Sequence, residues 1–270
     1  MPSTSSLANR HILYISHGGG PLPLLDDPQH RDMVANLQAI AAQLPRPKAI
    51  VVISAHWEAA VPTLTAGTQP PLIYDYYGFP KSAYQLTYPA PGHPALAAAI
   101  CELLQTQGLE VRLTTERGFD HGLFVPLKIM YPAADIPCVQ LSLVKGLDAK
   151  THIVIGQALS QLAADNVLIL GSGFSFHNMQ AFQTPDTAQT RAQNEAFEQW
   201  LIETCANPDL ATSDRTHRLI NWETAPAARY CHPREEHLLP LHVCYGAAQQ
   251  ACREYFELTV LGKKASVYLW

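Results

Sequence analysis

Short, continuous apolar runs alternate along this chain with stretches in which apolar positions return every three or four residues. Residues 11–16 (HILYIS), 49–54 (AIVVIS) and 166–170 (NVLIL) are of strand length and mostly aliphatic, the pattern of strands covered on both faces. Residues 110–114 and 137–143 read as further strands. Helical periodicity predicts helices over 27–44, with Met33, Leu37, Ile40 and Leu44 on one side, and over 94–107, closed by Gly108. It predicts others over 124–130, 151–164, 187–205, 214–228 and 235–250, and a closing hairpin over 256–261 and 265–270. Strands alternating with helices imply one α/β domain over 1–270: a mostly parallel central sheet, helices on both faces, C-terminal hairpin strands. Residues 1–10, small and polar, read as a flexible N-terminal tail. Residues 69–93, rich in Pro, Tyr and Gly, form too long a connector to be idle.

Composition narrows the function classes. The 270 residues are 47% hydrophobic and 15% charged, which suits a folded globular chain rather than a disordered one. A net charge of −5 argues against nucleic acid or an anionic membrane as partner. No apolar run approaches the roughly 18 residues of a membrane span, and no basic flank leads into a secretory core. Six cysteines lie scattered without a CxxC pair, as expected of reduced thiols in a cytoplasmic protein.

The 12 histidines change the picture more. His17 follows the first strand, His56 the second, and His177 comes shortly after NVLILGSG. Ligands in open α/β sheets bind beyond the carboxyl ends of the strands, so strand direction alone brings these three to one rim. His121 stands in a DHG turn, and His237 near the start of the last helix. A lone loop histidine is most often a surface or capping residue, but several on one rim suit a metal site. His11, His30, His93, His152 and His217 lack such a setting and read as structural or exposed, while His232 is open. His242, five residues after His237, lies about 140° around a helix from it and does not share its face. The HGGG of residues 17–20 matches the oxyanion loop of lipase-like hydrolases, but no G-x-S-x-G elbow accompanies it. The lone GSG of 171–173 lacks the rest of a nucleotide fingerprint, and there is no HExxH.

Taken in order, SHGGG (16–20), SAHW (54–57), YDYYGFP (74–80), YPAPG (88–92), GFDHG (118–122), VPLKIMYPAADIPCVQLSL (125–143), GSGFSFHN (171–178) and HPREEHLLPLHVCYGAA (232–248) resemble the DOPA-dioxygenase type of class III extradiol ring-cleaving dioxygenases. The likeness runs from about Tyr14 to the last residues. It departs at Gly19 and Gly20, where many members carry Ser-Pro or a similar pair. It implies a single-domain α/β fold, a mononuclear non-haem Fe(II), and cleavage of a catechol beside its hydroxyl pair with O₂ as second substrate. By this resemblance His17, His56 and His237 are the metal ligands, with Glu236 the alternative to His237. His121 and His177 are the catalytic histidines, and His177 can serve as a fourth ligand, particularly to zinc. Zn(II), above Fe(II) in divalent affinity, is expected to compete for the site in purified protein.

In the expected reaction His177 takes a hydroxyl proton as general base, and His121 or His177 returns one as the ring opens. DOPA is the leading substrate: 4,5-cleavage gives a seco-DOPA that closes to betalamic acid, and 2,3-cleavage leads to muscaflavin. Trp57 and Tyr84, with Tyr74, Tyr76, Tyr77 and Phe79, are candidates to wall an aromatic pocket. Arg229, with Arg234, is a candidate to hold a substrate carboxylate. A zinc hydrolase using the same histidines, and a non-catalytic binding relative, are the competing readings.

Overall fold

The computed structural model describes residues 11–270, and the expected N-terminal tail lies outside them. The strands are β1 (Ile12–Ser16), β2 (Ala49–Ala59), β3 (Thr63–Thr65), β4 (Arg112–Thr114), β5 (Cys138–Val144), β6 (Val167–Gly173), β7 (Glu254–Val260) and β8 (Lys263–Leu269). They form one sheet in the order β4-β3-β5-β2-β6-β1-β8-β7. The apolar runs read from the sequence make its parallel centre, β5-β2-β6-β1. The hairpin of β7 and β8 extends it antiparallel from β1. On the other side β3 pairs antiparallel with β5 and parallel with β4. Three-residue β3 gave no periodicity to read.

The helices are α1 (Arg31–Gln43), α2 (Pro94–Thr106), α3 (His121–Met130), α4 (Ala149–Leu159), α5 (Met179–Phe182), α6 (Ala188–Ala206), α7 (Thr212–Ile220), α8 (Ala228–Cys231) and α9 (Leu239–Ala248). Side chains alternate across each strand. Leu13 and Ile15 of β1 pack with α1 and α3, whereas Ile12 and Tyr14 pack with α2, α4, α6 and α9. Two cores thus flank the sheet. Gly156 of α4 and Gly246 of α9 let those helices nearly touch, since a Cβ on either would collide with backbone of the other. Among the described residues no helix is long and apolar enough to cross a membrane.

Several boundaries differ from expectation for local reasons. The pattern over 27–44 opens with a 3-10 turn, Pro28–His30, capped by Asp27. The stretch 214–228 divides into α7, a 3-10 turn and α8, because Pro226 has no N–H to continue a helix. The last helix begins at Leu239, with Pro240 in its first turn, so residues 235–238 are turns rather than helix. The second strand runs on to Ala59, through His56, past a register shift against β5 between Ile53 and Glu58.

Candidate active site

The sheet delivers the histidines. His17 leaves β1, and its N–H still bonds the Gly173 carbonyl of β6 at 2.9 Å. His56 stands on β2 within the register shift. His121 opens α3, whose first turn is tied to β6 by the Ser172 hydroxyl donating to the Gly122 carbonyl at 2.5 Å. His177 follows β6, its N–H bonded to the Cys231 carbonyl at 2.9 Å. The His237 carbonyl accepts from the Phe174 N–H and the Tyr14 hydroxyl, each at 3.0 Å. Gly173 makes that approach possible, because a Cβ there would collide with the same carbonyl.

All five imidazoles face one cavity of about 440 Å³. His17 Nε2 and His56 Nε2 are 3.1 Å apart, and one ring nitrogen each from His17, His56 and His237 lie within 4.8 Å of one another. His17 Nδ1 donates to the Gly18 carbonyl at 2.9 Å, and His237 Nδ1 donates to Glu236 Oε1 at 3.0 Å. An acceptor at Nδ1 fixes the proton there and leaves Nε2 a lone pair. The His237 Nε2 is buried without a hydrogen-bond partner. Burial first, and the neighbouring imidazoles second, hold His17, His56 and His237 well below the usual histidine range, so all three are neutral. Three neutral imidazoles with converging nitrogens, one unpartnered, form a donor set that a divalent cation fits.

Two carboxylates organise the rest. Asp75 Oδ1 accepts from the backbone N–H of His121 at 3.0 Å and from its Nδ1 at 2.8 Å, while Oδ2 is 3.9 Å from His56 Nδ1. Glu236 Oε1 accepts from His237 Nδ1 and also from His177 Nδ1, at 3.2 Å. Burial opposes ionisation of both carboxyls, yet the histidine hydrogen bonds bring each below its ordinary value. The His177 and His237 rings stack with centroids 3.3 Å apart and planes 15° from parallel. His56, Asp75 and His121, and likewise His177, Glu236 and His237, are further groups whose ligand atoms could share a metal. His237 and Glu236 lie in turns before α9 rather than on the helix. Glu236 acts here on two imidazoles instead.

The substrate candidates fare differently. Trp57, Tyr84 and Arg229 are not among the residues lining the cavity. Trp57 lies under the Arg117 guanidinium, 4.5 Å from its ring centre. Tyr84 packs outside Tyr76, with ring centres 5.5 Å apart. Arg229 is paired with Glu235 at 2.8 Å and Glu223 at 2.5 Å. Tyr76, Tyr77 and Phe79 do line the cavity, joined by Leu22, Phe174, Met179, Phe182 and Leu261, which the sequence did not single out. Asp75 was missed too, and a carboxylate inside the aromatic run YDYYGFP was the available signal.

A family model described as the catalytic LigB subunit of aromatic ring-opening dioxygenase matches residues 11–266. The chain belongs to the LigB family of aromatic ring-opening dioxygenases. It is 44% identical to a 4,5-DOPA dioxygenase extradiol of Portulaca grandiflora over 75% of this chain and 73% of that one. It is 38% identical to the dioxygenase tasH of Hapsidospora irregularis, over 96% of this chain and 85% of the relative. A 4,5-DOPA dioxygenase extradiol of Escherichia coli K12 is 36% identical over 87% and 84% of the two chains. The crystal structure of an uncharacterized protein from Escherichia coli K12 superposes with a TM-score of 0.73 at 31% identity, covering 96% of this chain and 99% of that one. As a LigB-family member the chain is an extradiol dioxygenase, and such enzymes are metal-dependent.

Proposed function

We propose that this dioxygenase opens a catechol ring beside its hydroxyl pair with O₂, using one Fe(II) held by His17, His56 and His237. The carrying observation is the convergence of three neutral imidazoles, with the buried Nε2 of His237 lacking any other partner. Fe(II) bound there supplies a Lewis acid and a template open to both catechol oxygens and O₂. His177 is the general base. Its Nδ1–H is engaged by Glu236, which leaves Nε2 to take a hydroxyl proton and stabilises the imidazolium that results. His121, fixed by Asp75, is the second proton carrier. Groups so placed are each worth about 10²–10⁴-fold in rate.

DOPA, named in several relatives, is the reference substrate, and its cleavage at the 4,5-bond leads to betalamic acid. Unpaired cysteines support a reducing, cytoplasmic setting. The test is anaerobic loading with Fe(II), then air and a panel of DOPA, caffeic acid and protocatechuate, with oxygen uptake and product absorbance recorded. Cleavage with Fe(II) that vanishes with Zn(II) supports the reading. Ester or amide hydrolysis by the zinc form, without ring cleavage by the iron form, replaces it with a hydrolase.

A further inference from the structure

The cavity is large for a bare catechol. An apolar void of about 150 Å³ already accepts benzene, whereas this one measures about 440 Å³. A ring standing on the imidazoles leaves room for a substituent several carbons long. Phe174 and Phe182, with ring centres 5.7 Å apart, line that space together with Leu22 and Leu261. Tyr77 and Met179 also line it, and they are 91% and 58% exposed. These two side chains leave apolar surface at the mouth of the cavity that an apolar substituent would cover.

The charge inventory points the same way. Among the described residues lining the cavity there is no Lys or Arg. Asp75 is the acidic one, and it is engaged with His121. Arg234 borders an adjoining pocket beyond His177, but Glu58 holds it through both oxygens, at 2.6 and 2.7 Å, and Glu236 touches it at 3.4 Å. A substrate carboxylate that lies within the cavity would give up its water and meet no free cation in return.

Resting on the ring-opening function above, we infer that the preferred substrates are catechols whose ring substituent is uncharged and apolar, running along Phe174 and Phe182 and leaving past Tyr77 and Met179. Catechols with a carboxylate on that substituent, DOPA and protocatechuate among them, are the poorer substrates.

The decisive pair is 3-(3,4-dihydroxyphenyl)propanoate and its methyl ester, which differ in one charge. Turnover of each is measured by oxygen uptake on the Fe(II) enzyme, and affinity by anaerobic calorimetry on the same protein. The ester is expected to exceed the acid in kcat/KM and in affinity by about tenfold or more. Lengthening a 4-alkylcatechol should tighten binding about fourfold per methylene. Met179→Arg, at the exposed rim, should raise kcat/KM for the acid and erase most of the preference. Equal or better binding and turnover of the acid overturns the inference. If no catechol is opened at all, the proposed function falls, and the calorimetric order of acid and ester still decides this one.

Discussion

One oxygen of Asp75 grips His121 twice, at the backbone N–H that begins α3 and at ring Nδ1. The first bond sets where the helix starts and the second sets how the ring turns, so a single carboxylate fixes both position and tautomer. Asp75→Asn should lower kcat by about 10–100-fold, the usual cost of removing such an orienting carboxylate. Its iron content should stay near that of the parent, as measured by metal analysis. The Asp75→Asn/His121→Ala double variant should be no slower than His121→Ala alone, because the two act as one unit.

Metal retention separates the histidines. Alanine at His17, His56 or His237 should abolish bound iron after dialysis. Alanine at His121 or His177 should keep most of the metal and lose turnover by about 10²–10⁴-fold. Full activity in His177→Ala would remove the base. Glu236→Gln should retain iron, and its loss would make Glu236 the third ligand in place of His237.

Stability has its own pH signature. Glu198 on α6 is buried, accepts the Ser266 hydroxyl at 2.6 Å, and is pushed by burial up to about 7. Its proton is therefore held in the native state at pH values where the unfolded chain, titrating near 4.5, has released it. The native state binds the extra proton, so stability is full below about 4.5 and falls as pH rises through about 7. The loss amounts to roughly 3 kcal/mol from this group. Urea melts at pH 5 and 8 should show that fall in the parent and a smaller one in Glu198→Gln.

Gly173→Ala tests the seat of His237. The added methyl collides with the His237 carbonyl, an overpacking that costs about 1–3 kcal/mol. The thermal midpoint should drop by roughly 2–10 °C, and iron affinity should fall with it if His237 is the ligand proposed above. A midpoint and iron affinity equal to the parent's would show that β6 has slack there.

The parallel centre of the sheet was legible because buried strands need continuous apolar runs, and strand direction then placed His17 and His56 on one rim. His177 was legible for the same reason of chain direction, whereas His121 stood out only as a DHG turn and through the family resemblance. His237 lay outside the helix expected to carry it, since Pro240 delays α9 and His237 occupies a turn. Trp57 illustrates why neighbours in sequence mislead: on a strand, side chains adjacent to His56 point to the opposite face. Arg229 was legible as a cation but not as one already spent on Glu223 and Glu235. The cavity wall was hidden because Leu22, Phe174 and Leu261 meet only after the sheet is assembled.

In the sheet, β6 lies between β1 and β2, so the His17 and His56 side chains reach toward each other across one intervening strand. Hydrogen-bonded strands keep a spacing of about 4.8 Å whatever their sequence. The backbones that carry these two imidazoles are thereby spaced by the sheet, with His17 just past the end of β1 and His56 in the register shift of β2. Anchor points spaced in that way would stay where they are whether or not an ion sits between them.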